Sequence, residues 1–443
     1  MRLIVALIFY CTSFYSFAFE LVRDAEIEEY LYDVSKPIFY AAGLKKDSVN
    51  FYLVKENSIN AFVYGGSNIF VHTGLIESSD TPNMLQGVIA HELGHIMGAH
   101  LVKMQPQLSK ALATYAIATL LGVGILATDS SMSGTNAAIA STMLGQHIAE
   151  RQFLSFSRTQ EAEADRYAML FLKKSEISSN GMLELFKKLD SMQKKFVKEI
   201  DQYSVTHPLS TQRFDYFINN HVVGKNSYDE KFLLERHRFI QAKILAYSNN
   251  NTLYTNSNEI FANEKYKLYY LVYKSILENN NAQALNFVQK LLKINNKNPF
   301  FHETASMIYI KLNNLFKAKE HFKKALEYSK NNIFLKHEFA SFLIKNFNDA
   351  QNINNAIFIL ESLKNTNEAN AVLYQNLQIA YKKLNMEDYY LISRIEEIVL
   401  FGDIKKQENK LSVNNLITQL EIILKNNNNN VVMERLKRIK QIL

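Results

Sequence analysis

At 443 residues with 47% apolar side chains, the chain can build more than one hydrophobic core and has an ordinary globular composition. Its net charge of +7 is spread without a block of like charges or a glycine-rich phosphate loop, which argues against nucleic-acid binding and fits attraction to a membrane surface or to acidic partners. The single cysteine, Cys11, falls in the first 18 residues, so a chain lacking them has neither disulfide nor thiol chemistry.

Met1 to Ala18 carries Arg2, an apolar run from Leu3 to Tyr10 and the small-x-small ending Ser16-Phe17-Ala18. This reads as a secretory signal cleaved before Phe19, because the run is shorter than the roughly 20 residues that span a bilayer. Asp24 to Leu44 predicts a helical pair interrupted at Pro37. Alternating apolar residues at Phe51 and Leu53, from Ile59 to Tyr64 and from Ile69 to Val71 predict strands of a small sheet, the last two joined by Gly65-Gly66-Ser67-Asn68. Asp80 or Thr81 is placed to cap a helix with Pro82 in its first turn and Leu85, Val88, Ile89 and Ile96 at helical spacing. An apolar stretch from Ala111 to Ala127 suits a buried or interface-lying helix pair beside the site, and a Ser/Gly/Thr-rich tract follows to about Thr135. Ser157 with Gln160 predicts a capping box for a helix to about Lys173, a further helix runs from Gly181 to about Lys198, and a loop enters another at Ser210.

His91-Glu92-Leu93-Gly94-His95 lies on the helix after Pro82. Two histidines four residues apart project from one face and can share one tetrahedral Zn²⁺, while Glu92 can serve as general base towards the attacking water. A hydrolytic zinc site needs a third protein ligand. The tenth position after His91 in an extended HExxHxxGxxH pattern is Leu101, and His100, one residue early, reads as a supporting or surface residue. The alternative is a carboxylate from the later helix, where Glu161 and Asp165 lie four apart on a face shared with Ala164, Ala168 and Met169.

These two motifs, His91-Glu92-x-x-His95 and Ser157-Arg158-x-x-Glu161-x-x-Ala164-Asp165, resemble the M48 peptidase family of zinc metalloproteases, over roughly Asn50 to Arg213. The resemblance implies a zincin-like α+β domain, mostly helical with a small sheet, binding one Zn²⁺ per chain through His91, His95 and Glu161. It further implies that Asp165 orients a ligand imidazole and that His207, in Thr206-His207-Pro208, stabilises the oxyanion or transiently covers the metal. Arg213 and Asn60 are implied as transition-state or substrate contacts, with Asn60-Ala61-Phe62 and the Gly65-Gly66 hairpin beside the cleft offering an edge to an extended substrate. Glu163, roughly 200° from Glu161 around the helix, reads as a solvated charge.

Beyond about Lys265 the strand alternation ends and a period of 34 appears. Tyr309, Ala318, Phe322 and Ala325 repeat the register of Ser275, Ala284, Val288 and Leu291, whereas Ala356, Leu360 and Leu363 fit only after an insertion of about four residues. Tyr374, Leu377 and Tyr381 begin another unit. The pattern resembles the tetratricopeptide repeat family, an all-α solenoid with a concave peptide-binding face. The expected division is a signal over 1–18, a protease domain over 19–225, a connector over 226–264 and repeats over 265–443. This order is similar to periplasmic proteases of Gram-negative bacteria that degrade stalled outer-membrane proteins and assist their assembly. The implied partners are unfolded or misassembled proteins, the outer-membrane assembly machinery through the repeats, and a membrane surface. A scaffold acting mainly through the repeats is the competing function.

Overall fold

A computed structural model describes residues 20–45, 48–100, 102–103, 157–195, 207–225, 228–248, 257–366 and 369–443. The expected signal segment and the apolar stretch Ala111 to Ala127 lie outside the described residues, among which no helix is long and apolar enough to cross a membrane. The chain divides into two compact units, Met1–Arg23 with Leu31–Leu44 and Phe51–Leu234, and Asp24–Tyr30 with Lys45–Asn50 and Glu235–Leu443.

The first unit is α+β. Its four-stranded sheet has the order β1-β2-β4-β3, with β1 Leu21–Val22, β2 Asn50–Val54, β3 Ala61–Tyr64 and β4 Asn68–His72. β3 and β4 are antiparallel, with Ala61 opposite Val71 and Tyr64 opposite Asn68, so the Gly65-Gly66-Ser67 turn closes a hairpin and leaves β3 at the sheet edge. The expected helical pair is one helix, α1 Ala25–Ala41, with Pro37 inside it, and its residues from Leu31 onward belong to this unit. The missing proline N–H costs one backbone bond, and burial of Val34, Ile38 and Phe39 on either side keeps the helix continuous.

Helix α2 spans Thr73–Ser78 and leads to α3, Pro82–Met97, whose N-cap Thr81 makes no side-chain capping bond. Helix α3 starts instead on Pro82, whose fixed φ suits the first helical position. The buried face of α3 includes Leu85, Val88, Ile89 and Leu93. Helix α4, residues 157–174, buries Ala164, Ala168 and Leu172. Gly94 lets α3 and α4 come close: a Cβ there would lie 2.6 Å from the Ala164 carbonyl oxygen. Helix α5, Asn180–Lys195, packs on α3, and α6, Thr211–Asn219, is capped by Ser210, whose hydroxyl accepts from the Arg213 N–H.

Among its described residues the second unit is built of successive helices. Its pairs are α9 Glu264–Leu277 with α10 Asn281–Ile294, α11 Pro299–Lys311 with α12 Leu315–Tyr328, and α13 Ile333–Asn346 with α14 Ala350–Leu363, and then α15 Ala371–Lys383 with α16 Glu387–Phe401. They follow α7 Tyr228–Tyr247 and α8 Ser257–Ala262, and α17 Gln407–Asn427 and α18 Asn430–Ile442 complete the series. The wealth of asparagine in this region has a local cause. Asn280, Asn298, Asn314, Asn332 and Asn370 cap helix N-termini through their side chains, while Asn279, Asn313 and Asn385 take positive φ of 55–58° in the turn within a pair. Both are conformations that asparagine tolerates better than most residues.

Buried Ala284 and Ala318 occupy the fourth position of α10 and α12, 34 residues apart, and Ile353 holds that position in α14. The structure therefore aligns Ile353, not Ala356, with Ala318. One extra residue precedes α14, and the rest of the insertion lengthens the connection between α14 and α15, residues 364–370.

Candidate metal centre

Three elements of the first unit deliver the site. Helix α3 contributes His91, Glu92 and His95, α4 contributes Glu161 and Asp165, and the segment entering α6 contributes His207 and Arg213. His91, Glu92, Glu161, Asp165, His207 and Arg213 are all buried.

His91 Nε2 lies 3.1 Å from His95 Nε2, 3.3 Å from His207 Nδ1 and 3.3 Å from Glu161 Oε2. Glu161 Oε1 lies 3.3 Å from both His95 Nε2 and His207 Nδ1. The four donor atoms all lie within 4.8 Å of one another, close enough to share one zinc-sized ion, which imidazole nitrogen and carboxylate oxygen ligate at about 2 Å. Three imidazoles and one carboxylate also form a donor set suited to such an ion. Among the described residues these four are the group able to hold a metal.

Around them sits a ring of charge. Asp165 Oδ1 is 2.9 Å from His91 Nδ1, which fixes that imidazole with Nε2 facing the other donors. Arg213 donates from Nε to Asp165 Oδ2 at 2.7 Å and from Nη2 to Asp165 Oδ1 at 2.9 Å, and its Nη1 lies 2.9 Å from Glu161 Oε2. The guanidinium is thus engaged by the two carboxylates of α4 and by the His207 carbonyl at 3.4 Å, where the sequence had suggested contact with a substrate. Asn60 is buried at the start of the edge strand, and its carbonyl accepts from the His72 N–H.

The electrostatics follow from burial opposed by these partners. Burial pushes the Glu161 carboxyl up, but hydrogen bonds from His207, His91 and His95 outweigh it and hold the group well below the usual range. Burial likewise pushes Asp165 up, and Arg213 and His91 bring it down. Burial pulls His91 down, yet the bonds to Asp165 and Glu161 win and raise it to about 9. His95 is dominated by burial and falls to about 3. Glu92 differs from the other two carboxylates. Burial raises it, its oxygens have no hydrogen-bond partner among the described residues, and His207 Nε2 lies 3.4 Å from Oε1. A buried carboxylate with free acceptor capacity and an elevated pKa is suited to taking up a proton.

Two residues outside the expected set also join the neighbourhood. Glu163 is not a free solvated charge, since its Oε2 accepts from His100 Nε2 at 3.2 Å, and His100 Nδ1 lies 2.9 Å from His95 Nδ1. Gln160 donates from its amide to the His100 carbonyl at 2.9 Å. The signal for both was in the chain as the third histidine, five residues after His95, but nothing local gave it a partner.

Residues 23–217 match peptidase family M48. The chain is 30% identical to beta-barrel assembly-enhancing protease of Escherichia coli (strain K12) over 194 residues, 44% of this chain and 38% of that one. It is 27% identical to the putative beta-barrel assembly-enhancing protease of Vibrio cholerae over 195 residues, 44% of this chain and 39% of that one. It is also 29% identical to metalloprotease YcaL of Escherichia coli (strain K12) over 180 residues, 40% of this chain and 64% of that one. The chain spans less than two fifths of the length of the two assembly-enhancing relatives.

Proposed function

Because residues 23–217 carry a peptidase family M48 domain, that of a metal-dependent protease, we propose that the protein is a zinc-dependent endopeptidase that cleaves misfolded or stalled envelope proteins in the periplasm. The observation that carries this reading is the convergence of the His91, His95, Glu161 and His207 donors, all within 4.8 Å of one another, beside the buried carboxylate of Glu92. His91, His95 and Glu161 would hold one Zn²⁺, which when bound supplies Lewis-acid polarisation of a peptide carbonyl.

The chain's own residues do the proton work. Glu92 takes a proton from the attacking water and returns it to the leaving amine, and its raised pKa brings it nearer the operating pH. Asp165 keeps His91 in the tautomer that leaves Nε2 free, and Arg213 holds Asp165 and Glu161 in register. His207 comes from a segment separate in sequence from both helices. It is proposed to cover the site in the resting arrangement and, once displaced by substrate, to donate to the developing oxyanion. The edge strand β3, with Asn60 at its start, offers backbone groups to an extended substrate, which makes recognition tolerant of sequence.

Cellular placement rests on the signal-like Met1 to Ala18 segment and on the relatives named for β-barrel assembly. The helices from Glu264 onward are proposed as tetratricopeptide-like repeats that recruit unfolded substrates or assembly machinery. The test is metal analysis of the purified protein with a peptidase assay on an unfolded protein. About one zinc per chain is expected. Glu92→Gln should retain zinc and lose roughly 10²-fold or more in hydrolysis. A wild-type chain without bound metal, or a Glu92→Gln variant with full activity, overturns the proposal.

A further inference from the structure

His91 and His95 are supported in different ways. His91 meets the carboxylate of Asp165 directly. His95 meets another imidazole, that of His100, and the backbone between them is arranged to bring this about. Helix α3 ends at Met97, Gly98 caps it, and Ala99 takes a φ of +51°, a left-handed conformation that a Cβ disfavours. That turn brings the His100 ring back over the helix end. A Cβ on Gly98 would lie 2.2 Å from His100 Nε2, so the ring takes the space that glycine leaves. On its far side the His100 carbonyl is held by Gln160 at 2.9 Å, and His100 Nε2 faces Glu163 Oε2 at 3.2 Å.

We propose that His100 and Glu163 are positioning residues for the metal ligand His95, acting as a two-step relay where Asp165 serves His91 in one step. Proton placement follows from the donor inventory. An ionised Glu163 can only accept, so His100 carries its proton on Nε2 and presents a bare Nδ1 to His95. His95 then carries its proton on Nδ1, leaving Nε2 as the unprotonated atom that faces His91 and Glu161. The opposite tautomer of His95 would put a proton among the metal donors. The backbone strain at Ala99 and the close approach at Gly98 are thus accounted for by one task, aiming His100 at His95.

This inference rests on the metal site proposed above. Its test is the zinc affinity of the full chain, measured by competition with a fluorescent chelator. Four variants are compared with wild type, each checked for an unchanged unfolding temperature. His100→Ala should bind zinc roughly 10- to 100-fold more weakly, the usual cost of removing a partner of a ligand imidazole. Glu163→Ala should weaken it by a smaller factor. His100→Gln, whose amide oxygen can accept from His95 Nδ1, should recover part of the loss. Glu163→Gln, which still accepts from His100 Nε2, should stay close to wild type. An affinity in His100→Ala within twofold of wild type overturns the relay while the wild-type zinc site stands. Should His100→Ala fail to fold, the Glu163 pair decides, and equal losses in Glu163→Gln and Glu163→Ala overturn it. A wild-type chain that binds no zinc fails the metal site itself, which is a different result.

Discussion

In the first unit, His91, His95, His207 and Glu161 turn their donor atoms on one another, all within 4.8 Å, with Asp165 and Arg213 around them. In the second, Asp24, Glu26, Glu303 and Glu338 are gathered near the buried Lys243, whose Nζ lies 2.6 Å from Asp24 and 3.3 Å from Glu26. Tyr269 donates to Glu26 at 2.6 Å. Both clusters concentrate ionisable groups away from water, yet of the two only the first gathers donor atoms that could hold a metal ion. Imidazole is the reason: it lends a lone pair while neutral, so several can face one point, whereas carboxylates brought together repel until one gains a proton. Burial and then Asp24 push Glu338 up to about 7, and burial and then Glu338 hold Glu303 well above the ordinary range. One cluster is arranged for a cation, and the other is balanced by Lys243 and by retained protons.

The largest expected effect tests that balance. Lys243→Met removes the cation from the buried Glu26 and the half-buried Asp24 and should destabilise the second unit by about 3–5 kcal/mol, read from its unfolding transition in urea. A loss below about 1 kcal/mol would mean that retained protons alone suffice.

Next comes Asp165→Ala, which frees His91 to rotate and leaves Arg213 with one carboxylate partner fewer. Zinc affinity should fall roughly 10- to 100-fold, and an unchanged affinity would break the claim that the first cluster is arranged around its ion.

A smaller effect separates the clusters by pH. Glu338 has a folded pKa near 7, above its ordinary value of 4.5, so the folded state keeps a proton that the unfolded chain has released. Its contribution to stability is present below 4.5 and is lost as pH rises through about 7. Asp165 has the opposite sign. Its depressed pKa contributes stability above 3.8, lost as pH falls through its folded value. Glu338→Gln should therefore flatten the stability profile of the second unit between pH 4.5 and 7, and a slope that persists would assign it to another group.

The smallest effect provides the baseline. Lys324→Ala breaks an exposed i,i+4 pair with Glu320, at 2.8 Å, and should change stability by about 0.5 kcal/mol or less, against which the buried cluster is judged.

What could be read from the chain alone was what neighbours in sequence decide. The His91-Glu92-x-x-His95 spacing places two imidazoles and a carboxylate on one helical turn whatever surrounds it, and the 34-residue period from Ser275 to Tyr309 reflects helices that pack on the next in line. The hairpin at Gly65-Gly66 and the cap at Ser210 belong to the same class. Pro37 shows its limit, since a residue that breaks helices locally sits inside one where burial outweighs the lost bond. Which carboxylate meets the histidines, how His207 joins them, why Arg213 turns to Asp165 and what His100 is for all depend on groups from 46 to 122 residues apart meeting in space. Helical spacing says that Glu161 and Glu163 face different ways, but only the packing of α4 on α3, close because Gly94 has no side chain, turns one to the metal donors and the other to His100.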